Sequence, residues 1–140
     1  MTNEHDISVV NGLVQVTIDS ADGYRKAAEV ADNQSFRTLF SARASERDEL
    51  VRKLQDFVRS HGGDPENDGS LAAGAHRFFV DLHAKITGRD EAAVVNDVEA
   101  GEDHIKARYE AALEAENLGA EARSLIASAN TVVLAGHDQM

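Results

Sequence analysis

Glu102 is the residue whose place in the sequence most needs a chemical explanation. The apolar residues around it recur at the three- and four-residue steps of one helical face, with a single gap between Val98 and Ile105. Glu102 fills that gap, four residues after Val98 and three before Ile105, so the spacing directs its carboxylate into the apolar face. A buried carboxylate is costly unless it is paired, protonated or bound to a metal. The sequence therefore predicts a binding partner for Glu102.

A metal ion is one such partner. Di-metal four-helix bundles use a Glu from each of two helices and a Glu-x-x-His pair from each of the other two, because residues three apart share one helical face. None of the six histidines follows a Glu at that distance, although Glu-x-x-Glu pairs begin at Glu46 and at Glu99. An iron or manganese site would therefore be built from Glu46, Glu99, Glu102 and His76.

An arginine is the other partner, and the sequence favours it. Arg25 falls on the apolar stripe of the first predicted helix, and Arg43 lies with Glu46 between the apolar ends of the second. Guanidinium groups neutralise carboxylates without needing an ion. We therefore expect no cofactor and an internal polar network with these members: Arg25, Arg43, Glu46, His76, Glu102 and Tyr109, with Tyr24 beside them.

The composition argues against several functional classes. Acidic side chains outnumber basic ones 25 to 14, and the net charge of -11 repels nucleic acid and anionic lipid. No apolar run approaches the roughly 20 residues needed to span a bilayer. The sequence contains no cysteine, and it has no nucleophile elbow, glycine-rich phosphate loop or zincin helix. We expect a cytoplasmic, non-catalytic protein that binds neither nucleic acid nor membranes.

The remaining residues indicate helices separated by short turns. A single proline and few aromatic residues favour helix over sheet. Apolar periodicity and capping signals predict helices from about 7 to 31, 36 to 61, 71 to 86, 91 to 116 and 120 to 137. Asp6 is the expected N-cap of the first helix, and the polar run Asp32-Asn33-Gln34-Ser35 is expected to supply capping oxygens for the second. Gly62 and Gly63 are the expected stop of the second helix. Gly101 is expected to allow the close approach of a neighbouring helix.

The short connections place successive helices antiparallel to one another. We predict one all-α domain over 1–140, with an antiparallel four-helix bundle over 7–116 and an additional C-terminal helix over 117–140. The longer connection at 62–69 leaves open both an up-and-down arrangement and the crossover of ferritin-like folds. The apolar residues of the last helix either close the bundle or meet a second chain, so a homo-oligomer is a further hypothesis: Leu125, Ile126, Val132 and Val133.

Several short elements carry a resemblance to a known family: Asp22-Gly23-Tyr24-Arg25 with Ala28, Leu39-Phe40 with Arg43-Ala44, Gly62-Gly63-Asp64-Pro65, Gly69-Ser70, His76-Arg77, and Glu99-Ala100-Gly101-Glu102-Asp103 with Tyr109. In these elements, between about 7 and 115, the chain resembles the bacterial ferritin-like bundle proteins catalogued as domain of unknown function 2383. The resemblance implies a ferritin-like four-helix bundle without an established activity. It also implies that Arg25 belongs to the charged face of such proteins, which supports ion pairing over a ferroxidase centre.

Overall fold

The computed structural model describes residues 3–31, 33–66, 91–115 and 118–139, with only the backbone described at 3, 30, 91–100 and 136–139. Every element in these ranges is an α-helix: α1 (Asn3–Val30), α2 (Gln34–Ser60), α3 (Glu91–Glu114) and α4 (Ala120–Gln139). The all-α prediction is confirmed for this part of the chain. None of the described helices is long and apolar enough to cross a membrane. The helix predicted over 71–86, which contains His76, lies outside the described residues.

The ends of α2 form where the sequence predicts them. Asn33 caps its start, because the side-chain oxygen accepts hydrogen bonds from the backbone N–H groups of Ser35 at 2.8 Å and Phe36 at 3.3 Å. At the other end, Gly62 has a φ of +85°, a left-handed conformation that glycine adopts without steric cost. Both predicted signals are confirmed.

The main core lies at the end of the bundle where α1 begins and α2 ends. It is formed by apolar residues of all four helices and of the α3–α4 connection: Val10, Leu13, Val14, Val16, Leu50, Val51, Leu54, Phe57, Val58, Ile105, Tyr109, Ala112, Leu118, Ala122, Ile126, Ala129 and Val133. Leu125 and Val132 pack at its margin. The last helix therefore closes the bundle with one face. A smaller cluster lies near the α1–α2 turn: Tyr24, Ala27, Ala31, Phe40 and Ala44.

The expected role of Asp6 is wrong. Helix α1 already begins at Asn3, so Asp6 lies within its first turns and does not cap it. Its buried carboxylate instead accepts a hydrogen bond at 3.0 Å from the backbone N–H of Gly119, immediately before α4. A residue at the start of one helix thus satisfies a backbone donor at the start of another.

Helix α1 packs against α2 and α3, and α3 packs against α4. Helices α2 and α3 lie across the bundle from each other, without close backbone approach among the described residues. A Cβ atom at Gly101 of α3 would meet no atom of the described residues within 4 Å, so the close helix approach expected there is not found in this part of the structure. Any direct link between α2 and α3 must therefore come from long side chains that cross the interior.

Candidate functional site: a buried ion pair

The partner of Glu102 is an arginine, Arg47 of α2. Its Nη2 atom donates hydrogen bonds to both carboxylate oxygens of Glu102, each at 2.9 Å. The side chains of Arg47 and Glu102 are 0% and 1% exposed, so the pair is fully removed from solvent. Removing one member of such a pair leaves an uncompensated buried charge, which is strongly destabilising. The pair therefore couples α2 to α3 across the interior.

Arg47 is the functional residue that the sequence analysis missed. Periodicity places Arg43 and Glu46 in the polar middle of the apolar face of α2, at steps of four, three and four between Leu39 and Leu50. Arg47 satisfies an equally regular pattern, four residues after Arg43 and three before Leu50. The spacing therefore also predicted a buried position for Arg47. It was overlooked because the adjacent Glu46, in the same charged turn, fits that face of the helix as well.

Two tyrosines flank the ion pair. The ring centroid of Tyr24 lies 5.8 Å from Cζ of Arg47, within the range of a cation–π interaction. Burial, with the negative charge of Glu102 nearby, raises the pKa of Tyr24. Tyr109 donates its hydroxyl proton to Thr17 at 2.7 Å, because the Thr17 hydroxyl already donates to the carbonyl oxygen of Leu13. Burial raises the pKa of Tyr109 to about 12.

A second arginine–glutamate pair lies on α2 itself. Arg43 donates through Nη1 to the two carboxylate oxygens of Glu46, at 3.0 and 3.1 Å. Arg43 is 6% exposed, whereas Glu46 is 35% exposed. The predicted polar face of α2 therefore extends from the interior of the bundle, at Arg43, to the edge of the bundle, where Glu46 is partly exposed to solvent.

The predicted placement of Arg25 in the interior is wrong. Its side chain is 49% exposed and forms ion pairs with Asp22 of α1 and, at 2.7 Å, with Asp48 of α2. Its hydrogen bond to Asp48, with the one to Asp22, raises the pKa of Arg25. A long arginine stem can start on an apolar stripe and still carry its charged end to water. The ion pair with Asp48 links α1 to α2 beside an open surface groove with a volume of about 780 Å³.

The four predicted metal ligands are only partly placed by the structure. His76 lies outside the described residues, and Glu99 lies on α3 where only the backbone is described. Among the described residues, no three His, Asp or Glu side chains form a group that could hold a metal. Glu46 and Glu102 each bind an arginine through both oxygens. A cation at Glu102 would have to displace or repel a fully buried guanidinium group, so the described part of the proposed ligand set does not fit iron or manganese.

The ion pair leaves some buried hydrogen-bonding groups unsatisfied within the described part of the chain. The Nε and Nη1 atoms of Arg47 and the hydroxyl of Tyr24 have no hydrogen-bond partner there. Each unsatisfied buried donor costs about 1–3 kcal/mol. Charge pairing and packing therefore stabilise the centre of the bundle, although some of its buried hydrogen-bonding groups remain unsatisfied.

These features define a class of protein, an all-helical bundle with an arginine–glutamate pair at its centre. Residues 6–115 match the family described as Domain of unknown function (DUF2383), and the chain belongs to that family. The match covers α1 from Asp6 onward and the whole of α2 and α3, the two helices that carry the ion pair, and it ends before α4. No curated protein matches the sequence.

Proposed function

We propose that this chain is a ferritin-like four-helix-bundle protein of the bacterial cytoplasm, with a non-catalytic structural or stress-associated role exerted through self-association. The Arg47–Glu102 pair is the observation that supports this proposal most directly. It occupies the middle of the bundle, where a ferritin-like metalloprotein would carry its carboxylate ligands.

A buried carboxylate serves catalysis when it is free to accept a proton, attack a substrate or bind a metal. Glu102 is committed to Arg47 through both oxygens. Beside this pair lie the hydroxyl groups of Tyr24, Tyr109 and Thr17, and the neighbouring buried Arg43 is itself paired with Glu46. The arrangement supports a structural role for the polar centre, because its charges compensate one another.

The experiment is metal analysis of the full chain purified from cells grown with excess iron and, separately, with excess manganese. We expect metal far below one equivalent per chain and an unfolding temperature that a chelator does not change. Stoichiometric iron or manganese that is lost in Glu102→Ala would overturn the proposal in favour of a metal-binding protein or oxidase. Glu110→Ala is the matched control, because Glu110 is an exposed glutamate on the same helix.

A further inference from the structure

The segment that follows α2 is held against the bundle by side chains of two helices. Asn11 of α1 donates through Nδ2 to the backbone carbonyl of Asp64 at 3.0 Å, and its Oδ1 accepts from the backbone N–H of Glu66 at 3.0 Å. Gln55 of α2 donates through Nε2 to the backbone carbonyl of Glu66 at 2.9 Å. Because all three bonds end on backbone groups, α1 and α2 together bind an irregular stretch of the chain through its backbone.

The sequence of this segment suits that position. Gly62 has a φ of +85° and turns the chain away from α2. A Cβ atom on Gly63 would lie 2.8 Å from Cγ2 of Ile7 and 3.0 Å from Cγ1 of Val58, so glycine lets the backbone lie directly on both side chains. Pro65 has no backbone N–H to leave unsatisfied, and the two bonds to the α1 amide fall on the residues on either side of it.

These contacts give the segment a defined path. Gly63 lies beside Ile7, whereas Glu66 binds Asn11, which lies about one helical turn further along α1. On α2 the contacts move back from Val58 by a similar distance. The segment therefore runs along the groove between the start of α1 and the end of α2, and it covers apolar side chains of both helices.

The bonds of this segment lie at the surface, unlike those of the core. Asp64 and Glu66 are exposed, and so are the three hydrogen bonds to their backbone. Exposed hydrogen bonds with few buried apolar contacts open locally, at a lower free energy than a core built from several helices. Opening uncovers Ile7 and Val58, the second of which is 0% exposed when the segment is in place.

We propose that residues 62–66 form a strap that closes the groove between α1 and α2 and opens as one unit, separately from the core. Asn11 is its latch, because its amide holds the strap on both sides of Pro65. The closed strap joins α1 to α2, and the open strap exposes apolar side chains of both helices. The strap contains no member of the central ion pair, so its failure would leave the metal test of the proposed function unaffected.

Hydrogen exchange of the native full chain, followed residue by residue by NMR, tests the strap. The amide of Glu66 lies outside every described helix, and yet its N–H has a hydrogen-bond partner. We expect it to exchange many-fold more slowly than in an unstructured peptide, but faster than the amide of Leu54 in the core. Exchange at the peptide rate would show that the strap is not closed, and exchange at the rate of Leu54 would show that it does not open separately. Either result overturns the proposal.

Two variants act on opposite ends of the strap. Asn11→Ala removes the latch, whereas Gly63→Ala adds a Cβ at the other end, where the backbone lies on α1 and α2. We expect both changes to speed exchange at Glu66 several-fold relative to Leu54 in the same variant, because the strap opens as one unit. Using this ratio separates release of the strap from a general loss of stability.

Gln15→Ala is the matched control. Gln15 is an amide about one helical turn beyond Asn11 on α1, and it takes part in none of the three hydrogen bonds of the strap. We expect its exchange ratio to match that of the unmodified chain. An unchanged ratio in Asn11→Ala, or an equal rise in Gln15→Ala, would refute the latch. Release by Asn11→Ala but not by Gly63→Ala would refute opening as one unit.

Discussion

Neutralising one member of the central ion pair should reveal how deeply it is buried. Glu102→Gln keeps the size of the side chain and removes the charge that compensates Arg47, whose side chain is 0% exposed. Breaking a buried pair in this way costs about 3–5 kcal/mol. Since a whole domain is stable by only roughly 5–15 kcal/mol, we expect a large fall in the free energy of unfolding.

Removing both charges should cost less than removing one. In Arg47→Met/Glu102→Leu neither buried charge remains, and apolar replacement of a buried ion pair is often neutral or stabilising. The free energies of unfolding of the unmodified chain, Arg47→Met, Glu102→Leu and the double variant, measured by urea titration with circular dichroism, form a double-mutant cycle that isolates the coupling between the two side chains.

An exposed arginine–carboxylate pair provides the control. Arg59 and Asp56 lie 2.8 Å apart with side chains 55% and 74% exposed, so Arg59→Met should lower the free energy of unfolding by less than about 1 kcal/mol. If Glu102→Gln costs no more than this control variant, the pair does not lie in a dry interior and the account of the site fails.

Three further predictions concern other parts of the fold. Tyr24 and Tyr109 are the only tyrosines, and their raised pKa values make the folded state retain protons that the unfolded chain loses. Stability should therefore fall as pH rises above about 10, and absorbance at 295 nm should show both ionising together with unfolding; free titration of both near pH 10 in the folded chain would contradict this. Gly119→Ala should destabilise the protein through its contact with Asp6, and calorimetry should show a smaller loss in an Asp6→Ala background, whereas additive losses would exclude the contact. Gly101→Ala should raise the free energy of unfolding by about 1 kcal/mol, because alanine favours helix and a Cβ meets no described atom there; a loss of stability in urea titration would contradict this.

Local signals in the sequence predicted local structure correctly. The spacing around Glu102 predicted its burial, and Asn33 and Gly62 marked the two ends of α2. Each of these predictions depends on residues within one or two helical turns, where periodicity and backbone preferences act directly. The same reasoning placed the apolar face of the last helix, although it left open whether that face closes the bundle.

Partners distant in the chain were not predictable by the same means. Asp6 binds a backbone group 113 residues away, and nothing near it in the sequence indicates this contact. Arg25 was placed in the interior because periodicity reports where Cα lies, whereas a long side chain can carry its charge to solvent. The spacing of α2 also places Arg47 on its inner face, but the choice between Arg47 and Arg43 as the partner of Glu102 depends on the relative positions of α2 and α3.

The central ion pair acts on the arrangement of the helices as well as on their stability. Apolar faces can slide along one another by a helical turn and still bury similar surface. A slip of one turn moves a helix by about 5.4 Å, which would separate Arg47 from Glu102 and leave two buried charges without a counterion. Only one register of α2 against α3 satisfies both groups. Because these helices do not approach closely through their described backbones, the pair supplies a direct constraint between them that apolar packing alone would not provide.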